Sequence, residues 1–122
     1  MIRAQRSNAE KFEIWGTGKP VREWCYIDDI VDLVIRTIEI DGDLIDPVNI
    51  GQKKGYSIRE LAEMTAKALD YGGKLVFNTN YPDGANIKVL DNKRFRECFL
   101  GYEFRGIEEG ISETVKYYQS VL

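Results

Sequence analysis

The stretch from Trp15 to Asp29, WGTGKPVREWCYIDD, constrains the fold more than any other. Phe12-Glu13-Ile14 is a short apolar run that leads into Gly16-Thr17-Gly18-Lys19-Pro20, and Val21 to Ile27 is a second strand-like run leaving it. The intervening residues read as a hairpin-like turn that exposes backbone amides and brings Arg22 forward. Asp28 or Asp29 then caps a helix, since a carboxylate there accepts orphan N–H groups and faces the positive end of the dipole. Ile30, Val31, Leu33, Val34, Ile35 and Ile38 make that helix apolar over more than one stripe, so it is expected to be buried on more than one side.

The other elements follow in order. Met1 to Ala9 looks like the tail of a helix without a cap or an apolar stripe. Asp41-Gly42-Asp43 breaks the central helix, Pro47 to Gly51 reads as a short buried strand, and Lys53-Lys54-Gly55 as a loop. Ser57-Ile58-Arg59-Glu60 is a capping box, and Ile58, Leu61, Ala62, Thr65 and Leu69 give the helix to Leu69 one apolar face. After Tyr71-Gly72-Gly73 come a strand, Lys74 to Phe77, and a loop, Asn78 to Asn86, built on Pro82-Asp83-Gly84. Ile87 to Leu90 is briefly extended, and Asp91 caps a short helix through Phe99 that Gly101 stops. Gly106 to Val121 is the last helix, with Ile107, Ile111, Val115, Tyr118 and Val121 inward. The alternation is that of an α/β domain with a small mixed sheet, single over 1–122, without repeats or a linker.

Composition excludes several classes. A net charge of −3 argues against a general nucleic-acid binder. No apolar run approaches a membrane span and the N-terminus has no signal-peptide core, which makes the cytoplasm the expected compartment. Cys25 and Cys98 read as packed, reduced thiols, and with no histidine a transition-metal site is not expected.

Gly16-Thr17-Gly18-Lys19 fits neither a P-loop nor a dinucleotide fingerprint. Pro20 stands where a P-loop needs Ser or Thr, Val21 where the fingerprint needs its third glycine, and a strand follows where both need a helix. Arg22 is the candidate with chemistry: a planar cation between Trp15 and Trp24 suits an aromatic base attached to a phosphate. Taken singly, Arg22 pairs with Glu23 or a capping aspartate, the tryptophans are core or edge residues, Lys88 is a solvated lysine and Asp83 a turn residue.

Together the pieces carry more. WGTGKPVREWCYIDDIVDLV, PVNIG, SIRELAE, YPDGANIKVLD and GIEEGISETVKYY resemble, in order and from about Phe12 to Leu122, the C-terminal substrate-binding region of extended short-chain dehydrogenases/reductases. This is the NAD-dependent epimerase/dehydratase family of nucleotide-sugar enzymes. The Pro-Asp-Gly block followed by lysine and Leu-Asp leans to its GDP-L-fucose synthase branch. The resemblance implies that Trp15 and Arg22 line a nucleotide-sugar site with Arg22 on the diphosphate. It implies Asp83 at the nucleotide or sugar end, and Lys88 as a second cation.

It also implies NADP for full-length members, bound by an N-terminal domain with a glycine-rich loop and a Ser, Tyr-x-x-x-Lys set. Neither that loop nor the Tyr-x-x-x-Lys spacing occurs in this sequence, and Cys25 does not match the branch's catalytic cysteine. The expectation is therefore a nucleotide-sugar-binding domain without cofactor or catalytic residues of its own, starting mid-helix relative to the family. The alternative is a non-enzymatic remnant acting as an oligomerising or partner-binding module; a complete small enzyme of another type lacks any nucleophile–base spacing. Either way the wide apolar arc of Ile30 to Ile38 calls for a cover, another copy or a separate cofactor-domain chain. Light scattering after size exclusion is expected to find the chain self-associated at micromolar concentration; a monodisperse monomer contradicts this.

Overall fold

The computed structural model describes residues 1–40, 46–52 and 54–122. The expected helix break at Asp41-Gly42-Asp43 and the loop residue Lys53 lie outside the described residues. In chain order the elements are α1 (Ile2–Arg6), β1 (Lys11–Trp15), β2 (Val21–Arg22), α2 (Ile27–Glu39), β3 (Tyr56–Ser57), α3 (Ile58–Ala68), β4 (Lys74–Asn78), β5 (Ile87–Lys88), α4 (Lys93–Cys98) and α5 (Ile107–Val121). The architecture is small mixed α/β, as the sequence alternation implies.

The strands form two sheets. β1 and β4 pair in parallel from Lys11↔Lys74 to Trp15↔Asn78. β2 lies between β3, antiparallel with Arg22 opposite Tyr56, and β5, parallel with Val21 opposite Ile87 and Arg22 opposite Lys88. The expected hairpin is thus absent, because β1 and β2 belong to different sheets. β1 takes its hydrogen bonds from β4, and the Gly16 N–H extends that ladder to the Asn78 carbonyl at 2.9 Å. The second strand is also shorter than Val21 to Ile27.

α2 starts after Tyr26, whose extended backbone (φ −71°, ψ 141°) is the N-cap without a side-chain cap bond. Asp28 and Asp29 sit in the first turn instead, where they still face the dipole. Asp29 is committed elsewhere: its Oδ2 accepts from the Arg105 N–H at 2.9 Å, tying α2 to the start of α5. Only Leu33 of α2 is fully buried, against Phe95 and Phe99. Val31, Val34 and Ile35 are each 50% exposed and Ile38 is 80% exposed. Burial on more than one side is therefore not met, since no described element lies over that arc. The expected strand at Pro47 to Gly51 has no ladder partner among the described residues. Val48 and Ile50 pack on the Leu33 cluster, and Asn92 Nδ2 holds the Gly51 carbonyl at 3.0 Å.

α3 begins with the capping box the sequence spells. Ser57 Oγ accepts from the Glu60 N–H at 3.1 Å, and Glu60 Oε2 accepts from the Ser57 N–H at 2.7 Å. Its apolar face meets α5 around Leu69, Tyr71, Ile111 and Val115, with Phe12 and Leu75 of the parallel pair packed below. Tyr118 and Val121 are exposed rather than inward. Asn92 stands at the N-cap position of α4 without a side-chain cap bond, and Asp91 Oδ1 accepts from the Lys93 N–H at 2.8 Å. Both cysteines are free thiols. Leu33→Ala is expected to lower unfolding free energy by about 2–5 kcal/mol and Ser57→Ala by about 0.5–2 kcal/mol. Urea titration checks this, and the reverse ranking of the two would show that α2 is not anchored through Leu33.

Candidate functional site

The Gly-Thr-Gly turn leaves β1 beside β4 and must reach β2 in the other sheet. It does so along the loop that carries β4 to β5, so residues 15–22 and 78–88 run side by side in the same direction. Trp15 pairs with Asn78 and its ring stacks on Tyr81, with centroids 4.3 Å apart and planes 12° from parallel. Two residues further along both segments, Thr17 donates to Asp83 twice: its N–H to Oδ1 at 2.8 Å and its hydroxyl to Oδ2 at 2.5 Å. The Val21 N–H then donates to the Asn86 carbonyl at 2.8 Å, and Arg22 comes opposite Lys88.

Glycine is required at 16 on two counts. Its φ is +85°, and a Cβ there would run into the Asp83 carboxylate. The turn is pinned from its other side by α3. The Arg59 N–H donates to the Gly18 carbonyl at 3.0 Å, and the Arg59 guanidinium lies over the Phe77 ring at 3.7 Å. Three of the expected exposed amides are spoken for: Gly16 N–H goes to Asn78, Thr17 N–H to Asp83 and Lys19 N–H to Thr17 Oγ1. A cofactor's diphosphate needs such amides free. With Asp83 and Phe77 also filling the space beside Gly16 and Gly18, this turn does not fit the diphosphate of NADP.

Arg22 and Lys88, as parallel register partners, project from the same face of their sheet. Arg22 Nη1 donates to the Val21 carbonyl at 2.6 Å, and its Nη2 lies 3.4 Å from where a Cβ on Gly84 would stand. The ion pairs among the described residues belong to Arg36, Arg59, Lys67, Arg94, Arg105 and Lys116, and none to Arg22 or Lys88. Glu23, the expected partner of Arg22, accepts from the Leu90 N–H at 2.7 Å instead. Nor is Arg22 flanked by tryptophans: Trp15 is on Tyr81, and Trp24 lines an apolar cavity of about 250 Å³ with Leu61, Ile107, Ile111 and Val115. Thr17 and Tyr81 were not singled out from sequence. The one signal for Tyr81 was its place directly before Pro82-Asp83-Gly84.

A model of the NAD dependent epimerase/dehydratase family matches residues 1–51. A probable GDP-L-fucose synthase 1 of Oryza sativa subsp. japonica is 36% identical over 116 residues, 94% of this chain and 34% of that protein. The crystal structure of a GDP-L-fucose synthetase from Naegleria fowleri bound to NADP superposes with a TM-score of 0.88 at 25% identity, over 97% of this chain and 37% of that one. The chain is thus similar to members of that family, GDP-L-fucose synthases among them. The fold is shared with a UDP-glucose 4-epimerase from Thermotoga maritima solved with UDP-glucose, at TM-score 0.80 and 28% identity over 98% of this chain and 38% of that one. The chain spans about a third of the length of these epimerase-family relatives.

The two bonds from Thr17, aided by nearby Lys19, hold the Asp83 carboxyl below its ordinary value of 3.8. A depressed carboxylate contributes stability that is present above the unfolded value and is lost as pH falls through the folded one. The pairing of the two segments is thus expected to persist down to pH 3.8 and loosen below it. Carboxyl-detected NMR is expected to find Asp83 titrating below 3.8 and moving up toward that value in Thr17→Val, which removes the hydroxyl bond and keeps the backbone one. An unchanged titration in that variant contradicts the clamp.

Proposed function

We propose that this chain binds the nucleotide diphosphate of a GDP-sugar, as the substrate-binding part of an NAD(P)-dependent epimerase/reductase. One observation carries the proposal: register pairing sets Arg22 and Lys88 on one sheet face, with neither cation neutralised by a carboxylate among the described residues. A diphosphate wants two convergent cations, and here Arg22 supplies a planar fork and Lys88 a point charge. Trp15 offers its ring to the base. Asp83 spends one acceptor site of each oxygen on Thr17 and keeps the others for a sugar hydroxyl or a base N–H. Guanine as the base is supported by the GDP-sugar names of the relatives; the UDP-glucose enzyme of the same fold makes uracil the comparison to test.

In this reading the chain's own residues bind and orient and do not transform. Such binding lowers the substrate concentration needed without accelerating the chemical step. With no histidine and no Tyr-x-x-x-Lys in the sequence, and no fit for NADP at the glycine turn, the chemistry is assigned to a cofactor-binding partner region. The exposed arc of α2, Val31, Val34, Ile35 and Ile38, supports a second reading as well: a module that docks on another copy or on a separate cofactor-domain chain.

The test is a tryptophan-fluorescence titration with GDP-mannose and GDP-fucose, with UDP- and dTDP-sugars as controls. Saturable binding is expected, weakened about tenfold or more in Arg22→Ala and in Lys88→Ala, the size of a lost charge-assisted hydrogen bond. Absence of binding at millimolar ligand, or binding indifferent to both variants, overturns the site.

A further inference from the structure

The stacked ring of Tyr81 has no role in the diphosphate site, yet its placement is over-determined. The Tyr81 N–H donates to the Asn78 carbonyl at 3.3 Å and the Asn80 N–H to Asn78 Oδ1 at 3.1 Å, so a tight turn begins at Trp15's own strand partner. On the other side the Thr17–Asp83 bonds fasten both segments two residues beyond the rings. The stack is thus held at both ends. Despite one ring face lying on Tyr81, Trp15 is 67% exposed and Tyr81 is 41% exposed. Trp15's opposite face is therefore open. Two large rings held parallel in water gain little from each other that burial would not give better, and a fixed exposed platform lowers the ordering cost of a flat ligand laid upon it.

We propose that Tyr81 is a positioning residue: by fixing the Trp15 ring it makes a two-ring platform that takes a purine base in preference to a pyrimidine. The inference rests on Trp15 lying at the nucleotide site as read above. Selectivity comes from overlap, because the bicyclic base covers more of the indole than a single ring does, and stacking is the contact that scales with that overlap. Tyr81 reaches the base only through Trp15. Its hydroxyl is dispensable in this arrangement, and its ring is not.

The experiment separates platform from cations by using ligands that carry only one of them. Guanosine and uridine probe the platform and inorganic pyrophosphate probes Arg22 and Lys88. Each is titrated into the chain and its variants, with tryptophan emission read for the nucleosides and calorimetry for pyrophosphate. Trp15→Phe reports how much of the emission change belongs to that ring. The expected result is guanosine bound about tenfold tighter than uridine. The preference is kept in Tyr81→Phe and lost in Tyr81→Ala, with pyrophosphate affinity equal in all three. Equal binding of the two nucleosides, binding of neither, or a guanosine preference that survives Tyr81→Ala overturns the platform. Failure of pyrophosphate to bind overturns the diphosphate site and leaves the nucleoside comparison standing. Far-UV circular dichroism and the thermal midpoint confirm that Tyr81→Ala remains folded; a variant that unfolds is replaced by Tyr81→Leu, which keeps bulk and removes the ring.

Discussion

Residues 15–22 cannot hold their course alone, and the structure depends on the second segment, 78–88, laid along them. The first segment leaves one small sheet and enters another, so the ladder bonds that support a strand on each side stop in between. The gap is bridged by the Thr17–Asp83 pair, by the Gly16 amide on Asn78 and by the Val21 amide on Asn86. Where this backbone is buried, as at Gly16, a polar group left without such a partner costs more than the bond returns net. Once the two segments are in register, Arg22 has no choice but to stand opposite Lys88. The same register carries Trp15 to Tyr81.

The hydrophobic core is built differently on the two sides of this ribbon. One cluster joins α3, α5 and the β1–β4 pair through Leu69, Tyr71, Ile111 and Val115. The other gathers Leu33, Phe95 and Phe99 and takes in Val48 and Ile50 from the extended stretch after α2. α2 gives that second cluster one fully buried side chain and leaves most of its apolar arc in water. An apolar surface of that kind is stable in a protein when something covers it. The relatives it matches are about three times as long.

Local chemistry was legible in the sequence. Ser57 and Glu60 spell a reciprocal cap that forms between near neighbours, and no distant contact can replace it. The parallel β1–β4 pair is another matter. A turn-like Gly-Thr-Gly-Lys-Pro between two apolar runs invites a hairpin, and nothing local reveals that β1's partner lies some sixty residues on. β3 and β5, each two residues long, are too short to carry a period. Asp29 is drawn away for a similar reason, since the Arg105 N–H takes its carboxylate from across the fold. Of the candidate residues, the structure brings Arg22 and Lys88 opposite each other and holds Asp83 on Thr17, with its neighbour Gly84 near the Arg22 guanidinium. Trp15 stands at the far end of the same ribbon, with Tyr81, whose part only the stack reveals.

The central claim is that Arg22 and Lys88 act on one diphosphate because one register pairs them. The direct measurement is a double-mutant cycle on GDP affinity with Arg22→Ala, Lys88→Ala and both together. Residues sharing a ligand group are coupled, so the two single losses are predicted to differ from the double loss by about 0.5–3 kcal/mol. Losses that simply add would mean that the two cations serve separate places, and would contradict the account.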